Sequence, residues 1–152
     1  MSESVLIIGA GQGLGESLAR LCASKNITVA LAARNIEKLD DLTKEIKAET
    51  YQCDSSDIES VSNLFKETDK LIGTPNLVIY NASLRPKRSS VVDLDPHEAQ
   101  KAINITCFGA FLVAQETTKR MLKRKRKSVS IFFTGATAGI NGFTNSSAFA
   151  MG

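Results

Sequence analysis

Histidine and cysteine are scarce in this sequence. It has one histidine, His97, and three cysteines, Cys22, Cys53 and Cys107, with no CxxC pair. That excludes a standard zinc site and gives no disulfide framework, so no metal is expected. Three buried free thiols in a reducing compartment are expected instead. Long apolar runs are missing too. None approaches the ~20 residues that span a bilayer. The run at 5–8 is too short for the apolar core of a signal peptide, and no basic residue precedes it. No membrane partner and a cytoplasmic location are the expectations. A net charge of +3 does not call for a polyanionic partner. Tyrosine occurs only at Tyr51 and Tyr80, a shortage that matters below.

The chain has 152 residues, enough for one domain over 1–152 that buries about 70% of its unfolded surface. Hydrophobic residues make up 43% and charged residues 23%, which excludes disorder as the default state. Short apolar runs alternate with amphipathic segments. Strands are expected at 5–8, 27–33, 50–53, 77–80 and 128–134. Helices are expected from 13 to about 25, with Leu14, Leu18, Leu21 and Cys22 on one face; from an Asn35 cap to about 48; over 57–71; and from Pro96 in a first turn to about 123. Strands 1, 2, 4 and 5 are continuous apolar runs, the pattern of strands covered on both faces. Alternating strands and helices predict an α/β fold, a doubly wound parallel sheet with right-handed crossovers.

The first strand leads into Gly9-Ala10-Gly11-Gln12-Gly13-Leu14-Gly15 and then a helix. Glycines permit a tight turn and close approach of a pyrophosphate, and the helix start offers free N–H groups. The GxGxxG spacing fails, because Leu14 and Glu16 stand where it needs Gly or Ala. GxxxGxG fits, through Gly9, Gly13 and Gly15. The second strand ends in Arg34, with no acidic residue until Glu37. An acid at that place would bind the ribose of NAD and repel the extra phosphate of NADP, whereas an arginine forks onto that phosphate. NADP is therefore expected over NAD.

The glycine pattern resembles that of the short-chain dehydrogenase/reductase family, and the resemblance extends along the chain. It implies a Rossmann fold with strand order 3-2-1-4-5 in three αβα layers. It implies a cofactor site at Gly9, Gly11, Gln12, Gly13, Leu14, Gly15 and Arg34. It adds Asp54 and Ser55, where the family's Asp contacts adenine, and Asn81-Ala82-Ser83, which is similar to an Asn-Ala-Gly motif. Asn104, read as a buried mid-helix amide that needs partners, matches the Asn that bends the family's helix and holds a water of the proton relay.

The family's proton donor is a tyrosine in YxxxK, with a serine 13 residues before it that polarises the substrate oxygen. This sequence places Phe149 and Ala136 there. The lysine would fall at 153, so the chain is read as C-terminally incomplete, with the fifth strand left as an exposed edge. Thr137 or Thr134 is the candidate to supply a hydroxyl in the serine's place. The resemblance implies an NADP-dependent oxidoreductase acting on a small-molecule carbonyl or hydroxyl group. The replaced residues favour a non-catalytic NADP-binding module or an inactive fragment. The family also implies pairing of two copies through the helix around Asn104, whose Ile103, Ile105, Phe108, Phe111 and Val113 suit burial on two sides. Residues 119–127 hold seven basic residues. They read as a solvated helix end facing away from the cofactor crevice, not as a nucleic-acid patch, because no aromatics interleave to stack bases.

Overall fold

The computed structural model describes residues 3–123 and 129–152. Five strands, β1 (Ser4–Ile8), β2 (Thr28–Ala33), β3 (Glu49–Gln52), β4 (Leu77–Tyr80) and β5 (Ser130–Phe133), form one parallel sheet in the order β3-β2-β1-β4-β5. Every residue of β1 is buried. Val5 and Ile7 point to the layer of α1 (Leu14–Ser24) and α2 (Asp40–Ile46). Leu6 and Ile8 point to the layer of α3 (Ile58–Leu71) and α5 (Gly109–Lys123). A strand with helices on both faces has no wet side, so every position from Val5 to Ile8 is apolar.

That reasoning does not hold for β5. Ile131 is half-buried, while Phe132 and Phe133 are 57% and 52% exposed. β5 is a sheet edge, and no helix of the described residues covers these rings. The face of α1 also differs from expectation. Gly15, Ala19 and Cys22 are buried and Leu18 packs on them, but Leu14 and Leu21 are exposed. The core face runs 15, 18, 19, 22, and a residue one position before it lies about 100° around the helix.

Asn35 caps a turn and not a long helix. Its Oδ1 accepts from the Glu37 N–H at 3.0 Å, a 3₁₀ turn spans Glu37–Leu39, and α2 begins at Asp40. Pro96 opens α4 (Pro96–Ile103), which the Asp95 side chain caps. A π-helical turn over Asn104–Phe108 joins α4 to α5, so the expected long helix carries one irregular turn. The turn has a cause in its contacts. The Gly109 N–H donates to the Asn104 carbonyl five residues back, and the Ile105 carbonyl is taken by the Tyr80 hydroxyl. Gly109 makes room for this contact, since a Cβ there would lie 2.3 Å from the Tyr80 oxygen. Cys107 sits on the outer side of the turn and is exposed, whereas Cys22 and Cys53 are buried as expected.

The last segments are a 3₁₀ turn at Thr137–Gly139 and α6 (Ser147–Met151), which packs on α4. Lys119 and Arg120 of the basic run are ion-paired with Glu116, and Arg120 also with Asp69. Residues 124–127 of that run, and 128 of the expected fifth strand, lie outside the described residues. Among the described residues no helix is long and apolar enough to cross a membrane.

Candidate functional site

The carboxyl ends of β1, β2 and β4 meet at the glycine loop. Gly9 has φ +80°, and a Cβ there would come 2.3 Å from the Ala82 backbone nitrogen. Only glycine lets the exits of β1 and β4 approach this closely. Gly15 is buried for a similar reason, as a Cβ would sit 3.2 Å from the Gly9 carbonyl oxygen. Gly13 has φ +91° and precedes α1 without a side-chain cap. A Cβ on Gly11 or Gly13 would meet nothing within 4 Å. The loop thus has two packed glycines and two that border open space. Leu14 and Gly15 begin α1, so their N–H groups have no acceptor one turn back.

This loop forms one wall of a cavity of about 750 Å³, within the range of small-molecule sites. Nine of the expected cofactor residues line it: Gly9, Gly11, Gln12, Arg34, Asp54, Ser55, Asn81, Ala82 and Ser83. Gly13, Leu14 and Gly15 do not, and Leu14 is exposed. Arg34 is exposed at the exit of β2, and among the described residues no carboxylate pairs with it within ion-pair distance. Lys38, in the 3₁₀ turn that follows, lines the same cavity. The sequence reading missed Lys38, because only the turn between the two brings it to the cavity that Arg34 lines.

Across the cavity, Asp54 accepts hydrogen bonds from Ser56 Oγ at 2.6 Å and Ser56 N at 2.9 Å. These bonds, with Arg34 nearby, hold its carboxyl below the usual range. Ser55 is buried and its hydroxyl is engaged by Tyr80 at 3.1 Å, so it belongs to the wall and not to the open space. Asn81 faces inward at both ends of its amide. Its Nδ2 donates to the Gly9 carbonyl at 3.1 Å, and its Oδ1 accepts from Thr134 Oγ1 at 3.0 Å. One side chain therefore ties together the exits of β1, β4 and β5.

A second cavity, of about 550 Å³, begins where the chain leaves Ser83. Ala136, Thr137 and Phe149 line it together, with Arg85, Lys87 and Arg88 of the loop after β4. Thr137 is exposed there. Thr134 is half-buried and its hydroxyl is committed to Asn81 and the Tyr80 carbonyl, which removes it as a stand-in for the serine. Asn104 lines neither cavity. It is exposed, and its Oδ1 accepts from Gln100 Nε2 at 2.9 Å. The expectation of a buried amide fails because the π turn already settles the backbone there without its side chain.

The donor set of the larger cavity suits a phosphorylated dinucleotide. Glycines border open space, a helix begins there, and two cations stand at one end. The model of short chain dehydrogenases matches residues 3–151. The chain belongs to the short-chain dehydrogenase family.

Within this family, a short-chain type dehydrogenase/reductase of Sinorhizobium fredii is 29% identical over 148 residues, covering 97% of this chain and 56% of its own length. A 3-oxoacyl-[acyl-carrier-protein] reductase of Bos taurus is 24% identical, covering 98% of this chain and 62% of its own length. The chain thus spans less than two thirds of these short-chain dehydrogenases. ElxO with NADP bound superposes with a TM-score of 0.90 at 22% identity, over 99% of this chain and 62% of that one. NAD⁺-bound xylitol dehydrogenase superposes with a TM-score of 0.92 at 24% identity, over 97% and 58%. Both nicotinamide dinucleotides therefore occur in proteins of this fold.

Proposed function

We propose that this short-chain dehydrogenase binds NADP(H) in the 750 Å³ cavity, in preference to NAD(H), and that it serves reduction or oxidation of a small carbonyl or alcohol in a cytoplasmic setting. The observation that carries the preference is the pair of cations, Arg34 and Lys38, at the exit of β2. An acidic residue there would repel a 2′-phosphate; a guanidinium forks onto it. Asp54 does not oppose this, because its carboxylate is turned to Ser56. The loop from Gly11 to Gly15 and the start of α1 receive the pyrophosphate. Asp54 and Ser55 border the adenine end, and Asn81, Ala82 and Ser83 form the floor toward the reactive ring. When bound, the nicotinamide supplies or takes the hydride. The chain's own residues bind it, orient it and shape the neighbouring cavity.

Titration with NADPH and NADH tests this. Saturable binding that favours NADPH is expected. Arg34→Ala should weaken NADPH by about 10- to 100-fold, the worth of a charge-assisted hydrogen bond, and leave NADH nearly unchanged. Equal affinity for both dinucleotides would refute the phosphate argument.

A second reading is favoured by Phe149 and Ala136, which share the smaller cavity but offer no hydroxyl. On it, the protein is an NADP-binding module with little turnover, because a positioned acid is typically worth 10²–10⁴-fold. Thr137 is the one hydroxyl of the expected pair left at that cavity. Turnover of the full protein with Phe149→Tyr and Ala136→Ser combined should rise about 100-fold or more. If it does not rise, the assignment of these two positions is wrong. The exposed, stacked Phe108 and Phe111, 6.2 Å apart between ring centres, support pairing of two copies through the helix around Asn104.

A further inference from the structure

We infer that the 550 Å³ cavity is an anion-receiving site: its ligand is a compact apolar body carrying a carboxylate or phosphate head. That this ligand is also the carbonyl or hydroxy substrate rests on the function proposed above. That it is an anion rests on the cavity alone.

Arg85, Lys87 and Arg88 fall within four positions of the loop after β4, and all three line the cavity. No acidic side chain lines it. The nearest acids that follow in sequence, Asp93 and Asp95, stand outside the lining, and Asp95 caps α4 by accepting from the His97 N–H at 2.9 Å. Like charges repel one another, so gathering three around one hollow is unfavourable until an anion enters.

Two of the cations are held in place by neutral partners. Arg88 Nη2 donates to the Thr144 carbonyl at 2.9 Å. The Ser89 N–H donates to the Asn145 carbonyl at 3.2 Å. These two bonds tie the loop to the far rim of the hollow. The Arg85 guanidinium lies 5.1 Å from the centre of the Phe149 ring. A carbonyl and an aromatic face position a cation without neutralising it, so both charges remain available. Lys87 is exposed, and among the described residues no carboxylate pairs with it. The remaining wall includes Leu94 and Phe143, which suits an apolar body behind the charged head. The hollow is distinct from the nucleotide cavity: the two linings share no residue.

Calorimetric titration of the full chain, with and without saturating NADPH, tests the inference. Phenylpyruvate is compared with its methyl ester, and hydroxyacetone phosphate with hydroxyacetone, so that the carboxylate and phosphate sources are separated. At least one anion should bind about tenfold or more tightly than its neutral twin, and the difference should shrink at high salt. Lys87→Gln and Arg85→Gln should each weaken that anion about tenfold and leave the neutral twin unmoved. Lys87 is exposed, so its variant stays informative even if Arg85→Gln disturbs the packing on Phe149. Equal binding of acid and ester together with equal binding of phosphate and alcohol overturns the inference. So does binding of NADPH with no anion bound. An anion that binds where NADPH does not upholds this site and overturns the nucleotide reading; if neither binds, both fall.

Discussion

Tyr80 ends a central strand with 2% of its surface exposed, so its hydroxyl must find partners inside the protein. It hydrogen-bonds Ser55 Oγ and the Ile105 carbonyl. Burial pushes its phenol up to about 12, from about 10 in an unfolded chain. Between those values the unfolded chain has lost a proton that the folded chain keeps. This contribution to stability is therefore complete below about pH 10 and is lost as pH rises toward 12, about 2–3 kcal/mol in all. Urea unfolding from pH 9 to 12 should show the decline. Tyr80→Phe should cost about 1–3 kcal/mol at neutral pH, since it strands the Ile105 carbonyl, and should flatten the alkaline part of the curve. An unaltered slope would show that Tyr80 does not titrate in that window. Gly109→Ala should also destabilise, by about 1–3 kcal/mol, because the new methyl meets the Tyr80 oxygen and the Ser55 carbonyl. None of this was legible in the sequence: a tyrosine in an apolar run and a glycine in a helix carry no sign that they meet. Arg34 was legible, because its role follows from its place at the end of a strand. Lys38 needed the turn that brings it back to the same cavity.

At the scale of elements, strand positions were read well, since runs such as 77–80 are bounded by turn residues. Helices were read less well where two registers compete. On α1 Leu14 and Leu21 are exposed although they are as large as Leu18, while small Gly15 and Ala19 face the sheet, because a helix packs closely on a sheet through its small residues. The π turn has no signature of its own, as it arises from a tertiary contact with Tyr80. β5 shows what apolar content cannot say. Ile131, Phe132 and Phe133 resemble a central strand, but whether a strand is covered depends on other segments. Two exposed phenylalanines on an unpaired edge are a template for association. Phe132→Lys should lower light scattering at high protein concentration and change the unfolding free energy by about 1 kcal/mol or less, while Phe133, whose ring lies 6.4 Å from that of Tyr80, is left in place. A large loss of stability would mean that the Phe132 ring is packed in solution.

On the scale of the whole molecule, the fold follows from the alternation of apolar runs and amphipathic segments, and the site from where β1 stands in the sheet. β2 lies to one side of β1 and β4 to the other, so the loops after them diverge and leave a crevice. The glycine spacing marked the crevice, and the family pattern marked Ala136, Thr137 and Phe149 of the second hollow, but nothing marked its cations. That one is assembled from the loop after β4 and the segment 135–149, far apart in sequence, and only folding shows that their cations and apolar residues share a space. The Asn81 amide sits where these parts join, and its contacts order events in time. Ser4 pairs with Thr28, a nearby partner, so the half of the sheet made of β1, β2 and β3 closes small loops. The bond from Asn81 to Gly9 spans 72 positions, and the one from Thr134 to Asn81 spans 53. Long closures are slow, because chain entropy is lost before the contacts form. The nucleotide cavity takes Asn81, Ala82 and Ser83 from the exit of β4, and the second hollow takes Arg85, Lys87 and Arg88 from the loop that follows, so neither is complete until the long closure of β4 on β1 is made.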